Sequence, residues 1–423
     1  MNKKAITLLL IANAISGVAQ GMSMIAIPWY FAQKNELSYF LISYLIATLI
    51  SIFWVPISGS IIDKYDRKKV FLYVTCIVGA CIAMISMLGV YWGDLPIILV
   101  AAVFIITFLN YNIHYPCLYA FVQEITEKHK YARMTSLIEI IGQFTTIIAG
   151  AGATLLLEGT EDGVLNFFGI PVNIGLDILP WKIHEIFVLD GITYFLGFLI
   201  ISAISYTAIS ERSTEEGSLK ERLYTGVNFL KKERPVFWFG LLSYIVFVAV
   251  LLEAFYLGVS YVKNHLLESG DIYANSKMTY SLGAIAIGLI IRHLFKIMNI
   301  PQVVILLTLA TAAMFLTLSM TASIYVLFTM MLIMGMTNAG IRIARITYLF
   351  KNVPNQLFGR VSSVLFLWTI FLRVLLILIF ALPFFQLSNN IIFAYRIIGA
   401  LLIGTSVLLI LNYRSFDLSL NKQ

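Results

Sequence analysis

The residue most able to do chemistry in this chain is a carboxylate set among apolar residues. Between residues 236 and 413, Glu253 is the only acidic residue placed deep within an apolar stretch. An ionisable group in such surroundings is costly and usually functional, because it can bind a ligand or take up and release a proton. Glu253 is therefore our first candidate for a proton or substrate site. A structural hydrogen bond or a salt bridge to a nearby arginine is the alternative interpretation.

Four arginines also lie inside apolar stretches, at Arg342, Arg345, Arg373 and Arg396. A guanidinium group can hold a carboxylate or phosphate through two hydrogen bonds. Arg342 and Arg373 are therefore candidates for binding an anionic or zwitterionic compound. Arg345 lies near one end of its stretch, where snorkelling to water or pairing at a gate is the alternative role. We interpret Arg396 as structural.

Polar residues recur at a spacing of three or four in four of the apolar stretches. Each set therefore lies along one face of a helix. The four sets are Asn13, Ser16, Gly17 and Gln20; Thr107, Asn110 and His114; Ala249, Glu253, Tyr256 and Ser260; and Met331, Met334, Asn338, Arg342 and Arg345. Polar groups facing lipid are costly, so these faces should contact protein or water. His114 can titrate near neutrality, although helix-packing hydrogen bonds are the commoner role of such a histidine.

Long helices must position these side chains. The chain has 423 residues, of which 60% are hydrophobic and 12% charged, whereas soluble domains carry about 25% charged residues. A water-soluble protein is therefore excluded. A membrane-spanning helix needs about 20 mostly apolar residues. Twelve such segments, numbered 1 to 12 below, are predicted at 5–32, 41–62, 70–91, 96–121, 134–157, 186–209, 236–262, 277–295, 302–320, 323–349, 360–383 and 390–413.

The distribution of basic residues predicts which ends of the segments face the cytoplasm. With the N-terminus inside, 21 of the 29 Lys and Arg residues fall in cytoplasmic parts of the chain, four in outer loops and four inside segments. This bias predicts a multi-pass protein of the cell (inner or plasma) membrane with both termini cytoplasmic. It also accounts for the net charge of +7 without a nucleic-acid partner.

The longest cytoplasmic link, 210–235, divides the chain into an N-terminal half, 1–209, and a C-terminal half, 236–423, with six segments each. Apolar residues at helical spacing from Leu219 to Leu230 predict an amphipathic helix in this link, lying along the membrane. The outer loop 158–185 is long and apolar, which favours packing at the membrane interface over a role as a gate.

One short turn concentrates the charge on the cytoplasmic side. Gly59–Lys69 lies between segments 2 and 3 and places six charges within the seven residues Asp63–Lys69. Its glycine, two aspartates and final Arg-Lys-Lys resemble the signature between the second and third helices of the major facilitator superfamily. Three further stretches resemble the macrolide-efflux-like or transmembrane secretion effector branch of that superfamily: Ile25–Tyr30, Val188–Phe195 and Phe358–Val361.

The resemblance implies an all-α integral membrane protein with twelve transmembrane helices in two six-helix pseudo-repeat halves, which is the major facilitator fold. It also implies a central cavity lined by segments 1, 4, 7 and 10, the segments that carry the four polar faces. The candidate substrate or proton site then comprises Glu253, Arg342, Asn338, Tyr256, Asn13, Gln20, Asn110, His114 and Arg373.

The function that the resemblance implies is secondary active export of an amphiphilic small molecule, drug- or macrolide-like, by alternating access coupled to protons. One alternative is transport of an anionic compound such as a siderophore or lysophospholipid, which the arginines would suit. Another is a non-transporting membrane receptor or scaffold. The chain has no H-E-x-x-H or G-x-S-x-G motif, so we do not predict an enzyme. We expect no cofactor and no metal; the expected partners are a small-molecule substrate, protons and the bilayer, and the expected state is a monomer.

Charged residues on the cytoplasmic side are better suited to gating than to binding. The predicted gate motif is Gly59, Asp63, Arg67, Glu124, Glu139, Arg292 and Arg360. Arg67 is expected to reach Glu124, Arg292 to reach Glu139, and Asp63 to lie near the start of segment 11. Such pairs would fasten the halves when this side is closed and separate when it opens. Positive-inside topology alone is the alternative explanation for the basic residues.

Overall fold

The structure is a computed structural model that describes residues 3–127, 130–205, 219–387 and 389–420. Most of these residues are helical, since a helix satisfies its own backbone hydrogen bonds away from water. The elements before the long link are α1 Lys3–Gln33, α2 Leu37–Lys64, α3 Arg67–Trp92, α4 Ile97–Ile125, α5 Tyr131–Glu158, β1 Val164–Phe167, β2 Ile170–Asn173 and α6 Ile183–Ser202. The elements after it are α7 Leu219–Lys232, α8 Arg234–Leu252, α9 Gly258–Ser260, α10 Gly270–Ile297, α11 Ile300–Leu318, α12 Ile324–Asn352, α13 Asn355–Phe380, α14 Pro383–Gln386, α15 Ile391–Leu411 and α16 Tyr413–Leu420.

Twelve helices within the described ranges are long and apolar enough to cross a membrane, which confirms the predicted number. Most bounds differ from the predicted ones by a few residues. Segment 6 ends earlier than predicted, at Ser202, and its predicted residues 206–209 lie outside the described part of the chain. Segment 7 is longer, because α8 continues through the π-helical turns Glu253–Leu257 and Tyr261–Leu266, with α9 between them.

The chain forms two compact units. The first contains the described residues of Met1–Glu215 together with Ser269–Met278, and the second contains those of Glu216–Glu268 and Thr279–Gln423. Helix α10 is thus divided between Met278 and Thr279. The residues of α10 up to Met278 follow segment 7 in the sequence, but they pack with α1 and α5 of the first unit.

Helix α6 is central to the first unit, where it packs against both α1 and α3. Small residues permit the close approach of α3: Gly79 lies against the Tyr194 side chain and Gly89 against His184, so a Cβ at either position would overlap its neighbour. Such small-residue contacts are the usual way in which membrane helices pack closely. Tyr194 is thereby held within the unit, next to α1 and α4.

At one end of the first unit, α5 and α1 contact the first turns of α10. The Gly270 backbone N–H donates to Glu158 Oε1 over 2.7 Å, and a carboxylate at the N-terminal end of a helix is electrostatically favourable. Trp29 and Tyr273 stack with ring centroids 6.2 Å apart. These contacts explain why Ser269–Met278 belongs to this unit.

Helices α10 and α12 cross closely in the second unit. Gly283 lies against the backbone carbonyl of Leu332, and Gly335 lies against that of Tyr280. The two glycines therefore bring the helix backbones into contact at one crossing, which no residue with a Cβ could occupy without moving them.

We expect Gly283→Ala to destabilise the protein by about 1–3 kcal/mol, the usual cost of overpacking a tight interior contact. Gly288→Ala is the matched control on the same helix, because a Cβ there meets nothing within 4 Å. Thermal melting of the purified variants in detergent measures the difference. Equal melting temperatures for the two variants would show that the helices separate without cost at this crossing.

The elements outside the membrane helices include a β-hairpin and the helix of the long link. Strands β1 and β2 form an antiparallel hairpin whose two turn residues, Phe168 and Gly169, have φ of 55° and 74°, as a tight hairpin turn requires. The predicted amphipathic helix of the link is present as α7. It packs on α13, with Gly226 against the backbone of Arg360 and Leu230 buried. Residues 206–218, which include the start of the predicted link, lie outside the described residues.

Candidate functional site

The first unit contains a buried hydrogen-bond network centred on a phenol. Tyr194 Oη on α6 accepts hydrogen bonds from Gln20 Nε2 on α1 over 3.0 Å and from Asn110 Nδ2 on α4 over 2.9 Å. All three side chains are buried. The network thus joins three helices through two residues that the sequence predicted and one that it did not.

A second contact of the same unit joins the other two predicted residues. His114 Nε2 lies 3.0 Å from Asn13 Oδ1, which links α4 to α1. The imidazole also packs on Phe71 of α3, with ring centroids 4.8 Å apart. These contacts are of the helix-packing kind, which the sequence analysis gave as the commoner role of such a histidine.

Sequence reasoning missed a buried carboxyl beside this network. Asp190 on α6 is fully buried, and its Oδ2 accepts a hydrogen bond from Ser23 Oγ on α1 over 2.9 Å. Tyr194 lies four residues further along α6 and so on the same face. The signal was present in the sequence as an acidic residue inside a predicted membrane segment. We searched only segments 1, 4, 7 and 10 for polar faces, and α6 is segment 6.

In the second unit, Glu253 lies where the helix changes its hydrogen-bonding pattern. Its side chain is fully buried, and it begins the π-helical turn Glu253–Leu257. Its Oε1 occupies the space that a Cβ of Gly258 would need. Five residues make up this wide turn, so the carboxyl lies over a glycine at i+5. Tyr256, in the same turn, is also buried. Short π-helical turns within α-helices are often found at functional sites.

The polar residues of α12 have different surroundings. Asn338 is half-buried and donates from Nδ2 to Tyr280 Oη of α10 over 2.6 Å. Arg345 is buried, donates to the Ser243 carbonyl oxygen over 3.0 Å, and its guanidinium lies 3.6 Å from the centre of the Tyr244 ring. Arg345 is therefore held by α8 of its own unit.

The remaining two candidates of the second unit are arginines. Arg342 is half-buried one turn before Arg345 on α12, and Arg373 is buried on α13. The structure thus joins the predicted residues of the first unit through two sets of hydrogen bonds, and gives Glu253 and Tyr256 of the second unit a shared π-helical turn.

The Gly59–Lys69 turn is tied to the ends of three helices. Asp66 caps α3 by accepting from the Lys69 backbone N–H over 2.9 Å. Arg67 Nε lies 3.7 Å from Glu124 Oε1, as expected, and its Nη1 donates to the Ala120 carbonyl oxygen at the end of α4. Capping residues and cations stabilise helix ends in this way.

Lys68 has a contact that the sequence analysis did not foresee. Its Nζ donates to the carbonyl oxygens of Ser202 and Ile204 over 2.9 and 2.7 Å, at the C-terminal end of α6. A lysine in this position satisfies carbonyl groups that have no partner within the helix. Lys68 therefore links α3 to the end of α6.

The positions of the other predicted gate residues do not test the gate. Gly59 and Asp63 lie at the end of α2, with Asp63 exposed; Arg292 is exposed on α10 and Arg360 half-buried on α13. Glu139 accepts a hydrogen bond from Tyr119 Oη over 2.6 Å. The contacts of Arg292 with Glu139 and of Asp63 with segment 11 stay predictions.

Two observations limit other chemistry in the described part of the chain. Among these residues no group of three or more His, Cys, Asp or Glu side chains is placed to hold a metal ion.

On the turn after α4, the hydrogen bond from Lys130 Nζ, 2.7 Å away, lowers the pKa of the Glu127 carboxyl to about 2. Glu127 therefore stays ionised at physiological pH and offers no proton-transfer site.

Comparison with known proteins gives one family and one fold. Residues 9–372 match the Major Facilitator Superfamily. No curated protein sequence matches the chain. Three solved structures share the fold: the nucleoside transporter NupG, at TM-score 0.71 and 14% identity over 98% of this chain and 99% of that one; the POT family transporter PepTSo, at 0.71 and 10% over 99% of each; and a bacterial homologue of the iron transporter ferroportin, at 0.66 and 14% over 96% and 99%. At such identities the likeness shows the fold alone.

Proposed function

Because the chain belongs to the Major Facilitator Superfamily of transporters, we propose that it is a secondary active transporter that exports an amphiphilic small molecule in exchange for protons. The observation that carries this proposal is Glu253, a fully buried carboxyl in the π-helical turn of a membrane span. A carboxyl in such a place is costly for folding, so it is retained for a function such as proton or ligand binding.

Two features favour an amphiphile over an anion. Tyr111 and Tyr115 on α4 are half-buried and stack with ring centroids 5.7 Å apart. Phenol rings offer a large apolar face with a polar tip, which suits a molecule of mixed polarity. An anion would need arginines, and Arg345 is already engaged by Ser243 and Tyr244. Arg342 and Arg373 are the residues through which an anionic substrate would have to be recognised.

We further propose that the two six-helix halves, 1–209 and 236–423, rock about a midplane site, as in other transporters built from repeats. The distribution of Lys and Arg supports a protein of the cell membrane with both termini cytoplasmic. On this view the Gly59–Lys69 turn lies on the cytoplasmic side. Similarity to the macrolide-efflux-like branch supports export, and the chain is proposed to act as a monomer.

The test is a flux measurement with purified protein in liposomes that contain a pH-sensitive dye. A panel of a cationic dye, a neutral macrolide and an anionic lysophospholipid is added with and without a pH gradient. We expect proton movement driven by the cationic or neutral amphiphile, and substrate movement driven by the gradient. Protein-free liposomes of the same lipid composition are the control.

Each other outcome contradicts a defined part of the proposal. Flux of the lysophospholipid alone would favour an anion transporter and would point to Arg342 and Arg373. Flux that ignores the pH gradient would remove the proton coupling. Binding, seen as quenching of tryptophan fluorescence, without flux of any compound would indicate a receptor or scaffold.

A further inference from the structure

A second buried carboxyl lies in the first unit, outside the polar faces that the sequence analysis selected. Asp190 on α6 is 0% exposed. Its Oδ2 accepts one hydrogen bond, from Ser23 Oγ, and its Oδ1 has no hydrogen-bond partner among the described residues. A carboxylate can accept about four hydrogen bonds. Asp190 therefore has far fewer donors than an ionised carboxylate away from water requires.

The charges around Asp190 do not supply the missing stabilisation. Two titratable groups are in electrostatic contact with it, the phenols of Tyr111 on α4 and Tyr194 on α6. Helix α1 faces it with Ser23, and α3 approaches at the neighbouring Gly191 with Ala83. His184, nearly two turns earlier on α6, packs against Gly89 of α3. No salt bridge within the described residues involves Asp190, and an uncompensated buried carboxylate is strongly disfavoured.

We infer that Asp190 is a proton-binding site, with the proton on the carboxyl in the conformation seen here. A hard metal cation is a poor alternative, because such ions take about six oxygen ligands. The described surroundings offer the carboxylate and the Ser23 hydroxyl. A proton needs one oxygen and leaves the Ser23 hydrogen bond in place. On uptake a hydronium ion transfers its proton to the Asp190 carboxylate and leaves a water molecule, and on release the carboxyl O–H bond breaks and the proton passes to a water molecule.

The position of Asp190 couples its protonation to the packing of α1 against α6. Ser23 lies three residues after Gln20 on α1, and Tyr194 lies four residues after Asp190 on α6. The Asp190–Ser23 and Tyr194–Gln20 hydrogen bonds therefore lie next to each other between the same two helices, α1 and α6. A carboxylate left by proton release needs new donors, which only a shift of α1 against α6 or the entry of water can provide. Occupancy of Asp190 thus controls the packing of α1 and, through Tyr194, its connection to Asn110 on α4.

This use in transport rests on the proposed function, whereas the presence of the proton does not. The first experiment therefore needs no substrate. Infrared difference spectroscopy of the purified protein at neutral pH compares wild type with Asp190→Asn, whose amide has the shape of the neutral acid. We expect the wild type to show the carbonyl stretch of a protonated carboxyl that Asp190→Asn lacks. Glu185→Gln, at an exposed carboxylate in the first turn of the same helix, should leave that band unchanged.

An absent band overturns the proposal, because Asp190 is then ionised. Ser23→Ala provides a second measurement should Asp190→Asn not fold. Loss of the Ser23 hydrogen bond should move the frequency of the Asp190 band without removing it. A spectrum identical to that of the wild type would assign the band elsewhere and overturn the proposal as well.

The second experiment measures protons moved per substrate in liposomes. We expect Asp190→Asn to lower this ratio relative to wild type and Glu185→Gln. A ratio unchanged by Asp190→Asn overturns the role in coupling. Wild-type flux without any proton movement contradicts the proposed function instead, and the infrared band then still decides whether Asp190 holds a proton.

Discussion

Replacing Glu253 with glutamine is expected to abolish transport driven by a pH gradient. Glutamine has nearly the size and hydrogen-bonding shape of a neutral carboxyl, so it should preserve the packing against Gly258. It cannot take up or release a proton. Gradient-driven flux in liposomes should therefore fall to the level of protein-free liposomes, while exchange of labelled for unlabelled substrate across the same membrane continues.

Two further variants separate this role from a structural one. Glu233→Gln removes an exposed carboxylate just before α8 and should leave both fluxes unchanged. Gly258→Ala keeps the Glu253 carboxyl but adds a Cβ where its Oε1 lies, and should reduce gradient-driven flux while the protein still folds. Flux through Glu253→Gln that keeps the wild-type pH dependence would exclude Glu253 from coupling.

The largest expected loss of stability follows replacement of Arg67 with glutamine. Arg67 Nε lies 3.7 Å from the Glu124 carboxylate, whose side chain is only 3% exposed. Removing one member of a buried ion pair costs about 3–5 kcal/mol, because the other charge stays buried. The variant also loses the hydrogen bond to the Ala120 carbonyl at the end of α4. Thermal melting in detergent should show a large decrease in melting temperature.

The same turn supplies the control. Lys69 is exposed and contributes only its backbone N–H to the cap of α3, so Lys69→Gln should change the stability by about 0.5 kcal/mol or less. Adding Glu124→Gln to Arg67→Gln removes the second charge and should recover part of the loss, which a double-mutant cycle measures. Additive effects of the two substitutions would mean that the pair does not interact.

The helices of this protein could be predicted because membrane spans have a simple physical signature. An apolar run of about 20 residues is sufficient to identify each of them. The ion pair of Arg67 and Glu124 was also predictable, since both residues lie at helix ends on the same side of the membrane. What these cases share is that the placement of each helix across the membrane determines the level at which its end residues lie.

The contacts of Asp190 and Lys68 could not be predicted in this way. Asp190 was overlooked because the choice of helices to search came from family resemblance, and α6 was not among them. The partners of Tyr194 and Lys68 are far away in the chain, and only the packing of α6 against α1, α4 and α3 brings them together. The wide turn at Glu253 was missed because the polar face was drawn with α-helical spacing throughout. No residue type in this part of the sequence indicates an i+5 backbone hydrogen bond.

The π-helical turns in segment 7 also allow part of that helix to rotate about its own axis. Each π-helical turn contains one residue more than an α-helical turn, and one residue corresponds to about 100° of rotation around the axis. The C-terminal end of the segment is therefore rotated relative to α8. Passing the extra residue from one turn to the next would rotate Glu253 and Tyr256 about the axis, with backbone hydrogen bonds exchanged a few at a time. Segment 7 could in this way redirect its carboxyl without a bend, a slide or a break in the helix.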